Sequence, residues 1–280
     1  MKANLVKQYL DALEINTHKG YRNHDIKTLD DISQLVQRHL ATFNFTSIKV
    51  LLHNELSLEN DFLIQKIVVE KQGGYCFEHN KLMFEVLQYL GFEVTALFGR
   101  VLLNRDINVP QTHRITLLKY NDDFYIVDVG FGALSPSLPI KFGKVSTTTS
   151  QNTEYLITDY KDNKLALQIV KDKAYFTLYS FDLQRYHDND FEMGHFYSHQ
   201  HPKANFVNNF VISKIYHDKV HSIVNNRYQI IQKSKTEVIM IKNEAQLEMI
   251  LKEVFDYPIV HSDICFIFNK FLGIDNKNHN

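Results

Sequence analysis

The sequence has few of the features that mark secreted or disulfide-stabilised proteins. Its 280 residues include only two cysteines, Cys76 and Cys265. Two thiols do not provide a disulfide framework for a chain of this length, and this scarcity suits a reducing compartment. We therefore expect a cytoplasmic protein.

Long apolar runs and blocks of one charge are also missing. No stretch approaches the roughly 20 apolar residues of a membrane-spanning helix, and the start "MKANLVKQYLDAL" lacks the apolar core and cleavage site of a signal peptide. The 31 basic and 32 acidic residues are scattered and give a net charge of −1. We expect no nucleic-acid and no membrane partner, and small molecules as ligands.

Nucleotide-binding fingerprints are the third absence. Neither GxGxxG nor GxxxxGK[ST] occurs, which excludes a phosphate cradle of those kinds. No repeat or low-complexity tract is visible either. What is present is an apolar content of 44% with 12% aromatic residues, enough to bury a substantial core.

The spacing of these apolar residues predicts helices in the first ninety or so positions. The segment "TLDDISQLVQRHL" begins with a capping-box pattern, Thr28 followed by Asp31, and continues with apolar residues at helical spacing. A second helix is predicted in "DFLIQKIVVE". A third begins near Cys76 and ends at Gly91.

From residue 92 the spacing changes to strands. The segments "FEVTALFGRVLL", "THRITLLKY" and "FYIVDV" are rich in β-branched and aromatic residues, and "NDD" between the last two predicts an antiparallel hairpin. Further strands are predicted in "TEYLITDY", "LALQIV", "KAYFTLYSF", "NNFVISKIY", "NRYQIIQ" and "TEVIMIK", followed by a helix in "EAQLEMILKEVF". This order favours an α+β fold of three packed units over a doubly wound sheet.

Cys76 lies in "KQGGYCFEHN", directly after two glycines and an aromatic residue, at the predicted start of a helix. The positive end of a helix dipole lowers the pKa of a cysteine there, and the thiolate is the nucleophilic form. Cysteine is also among the most buried residue types. Taken alone, the stretch fits a reactive thiolate and a core thiol equally well.

A reactive cysteine needs a base, and the hairpin supplies a candidate. His113 lies in one strand and Asp128 at the end of the other, and pairing about residue 121 brings them within a couple of residues of opposite positions. A buried histidine beside a carboxylate is the orienting half of a catalytic triad. A satisfied core histidine is the alternative. Beyond Asp128, "DVGFG" places Gly130 and Gly132 around Phe131, a loop whose backbone can approach a ligand closely.

Together these residues resemble the acetyl-CoA-dependent arylamine N-acetyltransferases. The family motif RGGxCxExN is matched by Gly73, Gly74, Cys76, Glu78 and Asn80. The histidine follows a threonine, as in Thr112-His113, and the aspartate begins a DVGFG-like loop. The segments "ATFNFTSIKVL", "LYSFDLQ" and "DFEMGHFYSHQHPKANF" extend the resemblance over about residues 5 to 215.

The resemblance implies an activity and a set of roles. Cys76 is the nucleophile, His113 its base and Asp128 the orienting carboxylate. The acetyl group passes from acetyl-CoA, the co-substrate, through acetyl-Cys76 to the nitrogen of arylamines or arylhydrazines, or to the oxygen of N-hydroxyarylamines, by a ping-pong mechanism without a metal. The implied substrate-binding residues are Phe45, Val101, Thr112, Gly130, Phe131 and Gly132. The implied units are a helical bundle (1–94), an antiparallel β-barrel (95–205) and an α/β lid (206–280).

The sequence departs from the family pattern near the cysteine and near residue 201. Gln72 replaces the motif's usual arginine, and Thr46 replaces the glutamate of the PFENL segment. Because these two charges often pair and are lost together, we interpret the change as a neutral replacement that alters the acceptor pocket beside Phe45. The stretch "HPKAN" from His201 also differs from the family's HPDSP, at the surface expected to face CoA.

Other classes of protein remain open from the residues alone. A cysteine, histidine and aspartate set also suits a papain-like or transglutaminase-like hydrolase, and a relative of low activity that binds CoA or aromatic compounds is a further alternative. His195, His199 and His201 have spacings that could contact zinc, although the resemblance places loop and strand residues there. Cys265, in "SDICFIFNKF", is expected to be a core residue.

Overall fold

The computed structural model of the protein describes residues 1–15, 26–105, 107–147, 153–171, 174–233 and 235–272. Its α-helices are α1 (Ala3–Ala12), α2 (Leu29–Thr42), α3 (Ile48–Leu51), α4 (Asn60–Leu63), α5 (Cys76–Tyr89), α6 (Asp188–Gln200), α7 (Asn205–Asn208), α8 (Glu244–Glu253) and α9 (His261–Ile267). Ile64–Val69 and Phe268–Leu272 are π-helical, and Gly132–Leu134 and Lys161–Asn163 form 3₁₀ turns. No helix within these ranges combines the length and the apolar character required to cross a bilayer.

The strands form two sheets. They are β1 (Phe45–Thr46), β2 (Glu93–Val101), β3 (His113–Tyr120), β4 (Asp123–Val127), β5 (Ile140–Lys141), β6 (Ser146–Thr147), β7 (Glu154–Tyr160), β8 (Lys164–Lys171), β9 (Ala174–Phe181), β10 (Val211–Ile215), β11 (Lys219–Val224), β12 (Arg227–Gln232) and β13 (Lys235–Met240). One sheet has the order β5-β4-β3-β2-β9-β8-β7-β6, and the other β1-β10-β11-β12-β13.

The larger sheet is antiparallel and curls into a nearly closed barrel. A bridge between Phe142 and Ile157 joins the chain just after β5 to β7, across the opening. The predicted hairpin is confirmed: Tyr120 faces Asp123 across the turn, and Thr116 faces Val127. Continuing this register places position 128 opposite 115, so positions 113 and 128 are diagonal neighbours on the same face.

The helices of the N-terminal part pack on one face of this barrel. Thr28 caps α2 as predicted, because its Oγ1 accepts from Asp31 N while the Asp31 carboxylate accepts from Thr28 N. Leu118 and Val127 of the hairpin join the apolar core between the helices and the barrel. Ile115 and Ile126, on the opposite face, fill the barrel interior. The α+β fold is therefore confirmed.

The smaller sheet packs against α8 and α9. Its strand β11 was not predicted, since the buried positions of "KVHSIV" include polar residues that hide the strand pattern. One of them, His221, is satisfied by a hydrogen bond between its Nδ1 and the Tyr228 hydroxyl, 2.6 Å apart. β1 also belongs to this sheet, through the pairing of Phe45 with Ser213. The unit limits at residues 94 and 205 stay predictions.

The expectation of loop and strand residues around His195 was wrong, because residues 188–200 form α6. The Asp190 carboxylate caps this helix by accepting from His187 N at 2.8 Å. Only Phe191, His195 and Ser198 of the helix are buried, a helical spacing that its many histidines and aromatic residues obscure. Arg114 of β3 holds the helix, since its buried guanidinium lies 4.3 Å from the centre of the Phe191 ring.

Candidate active site

The backbone before Cys76 is fixed by a close approach to the segment that contains β1. Gly73 has a φ of +61°, and a side chain there would place its Cβ 2.2 Å from the Asn44 carbonyl oxygen, so only glycine fits. Gly74 N donates to that same oxygen at 3.1 Å, and Gly74 O accepts from Thr46 N. The chain then turns into α5, and Cys76 is the first residue of the helix, as predicted.

His113 and Asp128 form a buried hydrogen-bonded pair. His113 Nε2 lies 2.7 Å from Asp128 Oδ2, and both residues are almost completely buried. Burial alone would raise the pKa of Asp128, but the neighbouring His113 and hydrogen bonds from His113, Asn80 and Gly130 lower it below its ordinary value. The carboxylate is therefore ionised and holds the imidazole ring in place.

Asn80 connects this pair to the cysteine helix, a role that its match to the family motif did not predict. Its Nδ2 donates to Asp128 Oδ1 at 2.8 Å and to Arg114 O at 2.5 Å, and its Oδ1 accepts from Val129 N at 2.9 Å. Because Asn80 lies one helical turn after Cys76, these bonds fix the distance between α5 and the hairpin. The signal available from the sequence was its spacing, four residues after Cys76 and so on the same face of the helix.

Cys76 lies beside the residue that precedes His113. Its Sγ–H donates to Thr112 O at 3.5 Å, and within the described ranges no hydrogen bond joins Sγ to His113 itself. Burial raises the pKa of the Cys76 thiol, as does the charge of Asp128, while backbone hydrogen bonds from Phe77 and Arg114 act in the opposite direction. The net effect favours the thiol form of Cys76, whose proton lies in the hydrogen bond to Thr112 O.

The loop after Asp128 passes directly over the start of α5. A Cβ at Gly130 would lie 2.6 Å from Asn80 Nδ2 and 2.9 Å from Cys76 Cα, so the loop approaches this closely only with glycine. Gly130 N donates to Asp128 Oδ1 at 2.9 Å. Gly130 thus positions the carboxylate and leaves room for the cysteine helix.

The other predicted substrate-binding residues lie around this centre. The Phe131 ring is centred 5.0 Å from that of His113, and a Cβ at Gly132 would touch the Phe45 ring at 3.3 Å. Val101 is two residues beyond Gly99, which pairs with His113, and so lies on the same face of β2. Phe206, which the sequence did not single out, packs edge-on against Phe45 with ring centres 5.8 Å apart.

A buried ion pair lies next to the position of Gln72. Lys66 Nζ contacts Glu78 Oε1 at 2.5 Å, with the two side chains 6% and 1% exposed. The second carboxylate oxygen, Oε2, accepts from Tyr75 N at 3.1 Å, at the start of α5. The chain therefore keeps a cation beside the cysteine motif, although Gln72 is neutral. Lys66 went unnoticed because it lies in the π-helical segment, outside the motif.

Two buried histidines form a directional chain of hydrogen bonds behind α5. His79 Nε2 lies 3.0 Å from Asn44 O, which only accepts, so this nitrogen carries the proton and His79 Nδ1 accepts. His39 Nε2 then donates to His79 Nδ1 at 2.8 Å, and the Tyr9 hydroxyl donates to His39 Nδ1 at 2.7 Å. Burial lowers the pKa of His79 to about 4 and that of His39 well below its ordinary value, so both rings are neutral.

His195, His199 and His201 do not form a metal-binding group within the described ranges. The Tyr75 hydroxyl and His195 Nδ1 are hydrogen-bonded at 2.5 Å, and His199 Nδ1 donates to His195 O at 2.6 Å. The zinc alternative for these histidines is therefore wrong.

Cys265 is not the core residue that the sequence predicted. It is half-buried, with Sγ 3.1 Å from Glu244 Oε2.

A cysteine at a helix start, next to a histidine–aspartate pair and lined by aromatic rings, has the composition and geometry of the nucleophilic centre in cysteine-dependent acyl-transfer enzymes. Comparisons with known proteins narrow this class. A family described as N-acetyltransferase matches residues 28–264. The chain belongs to the arylamine N-acetyltransferase family.

Individual relatives agree with this assignment. The arylamine N-acetyltransferase of Escherichia coli is 33% identical over 187 residues, which cover 66% of each chain, just under two thirds of that relative. The arylamine N-acetyltransferase of Mycobacterium tuberculosis is 32% identical over 244 residues, covering 84% of this chain and 85% of the relative. The solved structure of the Mycobacterium marinum enzyme in complex with CoA superposes with a TM-score of 0.86 at 27% identity, covering 95% of this chain and all of that one.

Proposed function

We propose that this protein transfers the acetyl group of acetyl-CoA to the nitrogen of an arylamine or arylhydrazine, or to the oxygen of an N-hydroxyarylamine, through an acetyl-Cys76 intermediate. The observation that carries the proposal is the position of Cys76 at the start of α5 beside the hydrogen-bonded pair of His113 and Asp128. The names of the relatives and the CoA bound to the Mycobacterium marinum enzyme support the donor and acceptor classes.

In the first half-reaction, His113 accepts the proton of Cys76 and the thiolate attacks the thioester carbonyl of acetyl-CoA. Because His113 Nε2 is hydrogen-bonded to Asp128, Nδ1 is the ring nitrogen that can accept the proton of Cys76. The transfer leaves the net charge of the three side chains unchanged, so their burial opposes it less than it would oppose ionising Cys76 alone. The carbon–sulfur bond to CoA breaks, its thiolate takes the proton from His113, and acetyl-Cys76 remains.

In the second half-reaction, the acceptor amine attacks the acetyl carbonyl while His113 takes its proton. The bond to Cys76 Sγ breaks and the thiol is restored by that proton. We assign the aromatic acceptor to the space beside Phe45 and Phe131, with Phe206 as an additional wall. We assign the oxyanion of both tetrahedral intermediates to the backbone N–H of Cys76, the first residue of α5.

The decisive experiment is to incubate the protein with acetyl-CoA without an acceptor and to measure its mass. One added acetyl group on a peptide containing Cys76, together with one equivalent of free CoA, is expected. An arylamine added afterwards should remove the label and appear as its N-acetyl product. Cys76→Ser should abolish labelling, and Cys265→Ser, the matched control, should retain it. A hydrolase of peptides would acquire no label, and release of CoA only after both substrates have bound would contradict the ping-pong order.

We place the protein in the cytoplasm for a chemical reason. The proposed mechanism requires Cys76 as a free thiol, and both cysteines of the structure are free. A reducing compartment maintains that state. Cell fractionation followed by immunodetection tests this location, and recovery of the protein outside the cytoplasmic fraction would contradict it.

A further inference from the structure

Three side chains of different ligand chemistry meet where α8 and α9 come together. Glu244 is the first residue of α8, His261 is the first residue of α9, and Cys265 lies one helical turn after His261. One ligand atom from each lies within 4.8 Å of the other two. In the part of the chain that the structure describes, this is the one such group of three histidine, cysteine or acidic side chains.

The distances between these atoms match the coordination shell of a small divalent cation. Cys265 Sγ lies 3.5 Å from His261 Nε2 and 3.1 Å from Glu244 Oε2. Zinc binds cysteine sulfur at about 2.3 Å and histidine nitrogen at about 2.0 Å, so sulfur and nitrogen in a tetrahedral shell are about 3.5 Å apart. The sulfur and nitrogen need almost no movement, and the carboxylate oxygen has to move outward by a few tenths of an ångström.

Neighbouring polar groups turn two of these ligands toward the centre of the group. His261 Nδ1 lies 3.1 Å from Glu248 Oε2, and the other Glu248 oxygen is held by Lys252 Nζ at 2.6 Å. A carboxylate accepts from Nδ1–H and so fixes the tautomer in which Nε2 has a free lone pair, the arrangement usual for metal-bound histidine. Asn269 Nδ2 donates to Glu244 Oε1 at 3.2 Å, which leaves Oε2 facing the sulfur.

We propose that Glu244 Oε2, His261 Nε2 and Cys265 Sγ bind one zinc ion, with solvent in the fourth position. One thiolate, one imidazole and one carboxylate suit zinc, whereas magnesium and calcium prefer oxygen ligands alone. Binding releases the Cys265 proton to solvent. The site joins α8 to α9, whose apolar faces share the core of the smaller sheet, so its role is to stabilise the C-terminal part of the fold. It takes no part in the proposed acetyl transfer.

The test uses the Cys76→Ser protein, in which Cys265 is the remaining cysteine. Zinc is titrated in competition with a chromophoric chelator, and cobalt is added separately as a spectroscopic probe. One zinc per chain is expected, with a near-ultraviolet charge-transfer band for cobalt bound to thiolate. Adding Cys265→Ser should remove the band and lower zinc affinity at least tenfold. Glu248→Ala removes the acceptor for His261 Nδ1–H and should weaken binding by about 10- to 100-fold through the loss of histidine orientation.

Glu253→Gln, at the exposed end of α8, is the matched control and should bind zinc like the parent protein. Circular dichroism of every variant verifies that it folds. The melting temperature should rise with zinc in the parent and not in Cys265→Ser. Equal zinc affinity in the Cys265→Ser and Glu253→Gln proteins, or a cobalt complex without a thiolate band, would overturn the proposal.

Discussion

Buried neutral histidines should make this fold sensitive to mild acid. His79 and His195 are 1% and 3% exposed. Burial lowers the pKa of His79 to about 4 and that of His195 to about 3, against about 6.5 for histidine in an unfolded chain. Between these values the unfolded chain binds protons that the folded protein excludes. Stability should therefore be complete above pH 6.5 and decline as the pH falls toward 4.

The size of the effect follows from these pKa values. At pH 5, a histidine that titrates near 6.5 when unfolded and near 4 or below when folded costs about 2 kcal/mol of folding free energy. His79 and His195 together should therefore remove about 4 kcal/mol between pH 7 and pH 5, a large part of the 5–15 kcal/mol that is typical of a folded protein. Carboxylates titrate mainly below this window and contribute little to the difference.

Urea unfolding followed by far-ultraviolet circular dichroism measures the difference, and suits a chain without tryptophan. His79→Gln keeps a donor for Asn44 O but removes the titration, so its loss of stability between pH 7 and pH 5 should be about 2 kcal/mol smaller than in the parent. His217→Gln removes an exposed histidine and should leave the pH dependence unchanged. A loss below about 1 kcal/mol in the parent, or an equal loss in His79→Gln, would refute the reasoning.

Three further substitutions test the surroundings of Cys76. Lys66→Met leaves the Glu78 carboxylate, whose side chain is 1% exposed, buried without its cation, and should lower the free energy of unfolding in urea by about 3–5 kcal/mol. The double variant with Glu78→Gln should recover most of this loss. A Lys66→Met protein as stable as the parent would contradict the prediction. Asn80→Ala removes the bonds that join α5 to Asp128, and should slow Cys76 acetylation in single-turnover assays about a hundredfold, whereas unchanged acetylation would exclude a positioning role. Gly130→Ala places a Cβ 2.9 Å from Cys76 Cα and should lower the free energy of unfolding by about 1–3 kcal/mol, measured as a lower urea midpoint. A crystal structure of this variant should show the loop displaced.

Features encoded by neighbouring residues could be predicted from the sequence. The capping box at Thr28, the hairpin about residue 121 and the start of α5 at Cys76 each depend on a few adjacent residues, and each appears in the structure. The proximity of His113 and Asp128 followed from the hairpin register. The roles of Cys76, His113 and Asp128 stay predictions until the acetylation experiment is done.

Features that depend on distant partners were missed. The role of Lys66 depends on its ion pair with Glu78, and the role of Asn80 depends on its hydrogen bonds to the hairpin. The helix α6 contains few apolar residues, and Arg114 of a distant strand holds it in place. Cys265 was predicted to be a core residue because apolar residues flank it in the sequence. In the structure, α9 directs its sulfur toward Glu244 of α8. Spacing along the chain does not specify such contacts.

The hydrogen bonds of Asn80 have a consequence for the order in which the protein becomes active. During synthesis Cys76 leaves the ribosome before His113 and Asp128, and at that stage its thiol has neither a base nor a docked loop. The site around Cys76 thus forms only when the hairpin docks on α5 and Asn80 makes its hydrogen bonds to Asp128, Val129 and Arg114. The appearance of Cys76 acetylation during refolding would therefore time the docking of the barrel on the helices, separately from the formation of either part.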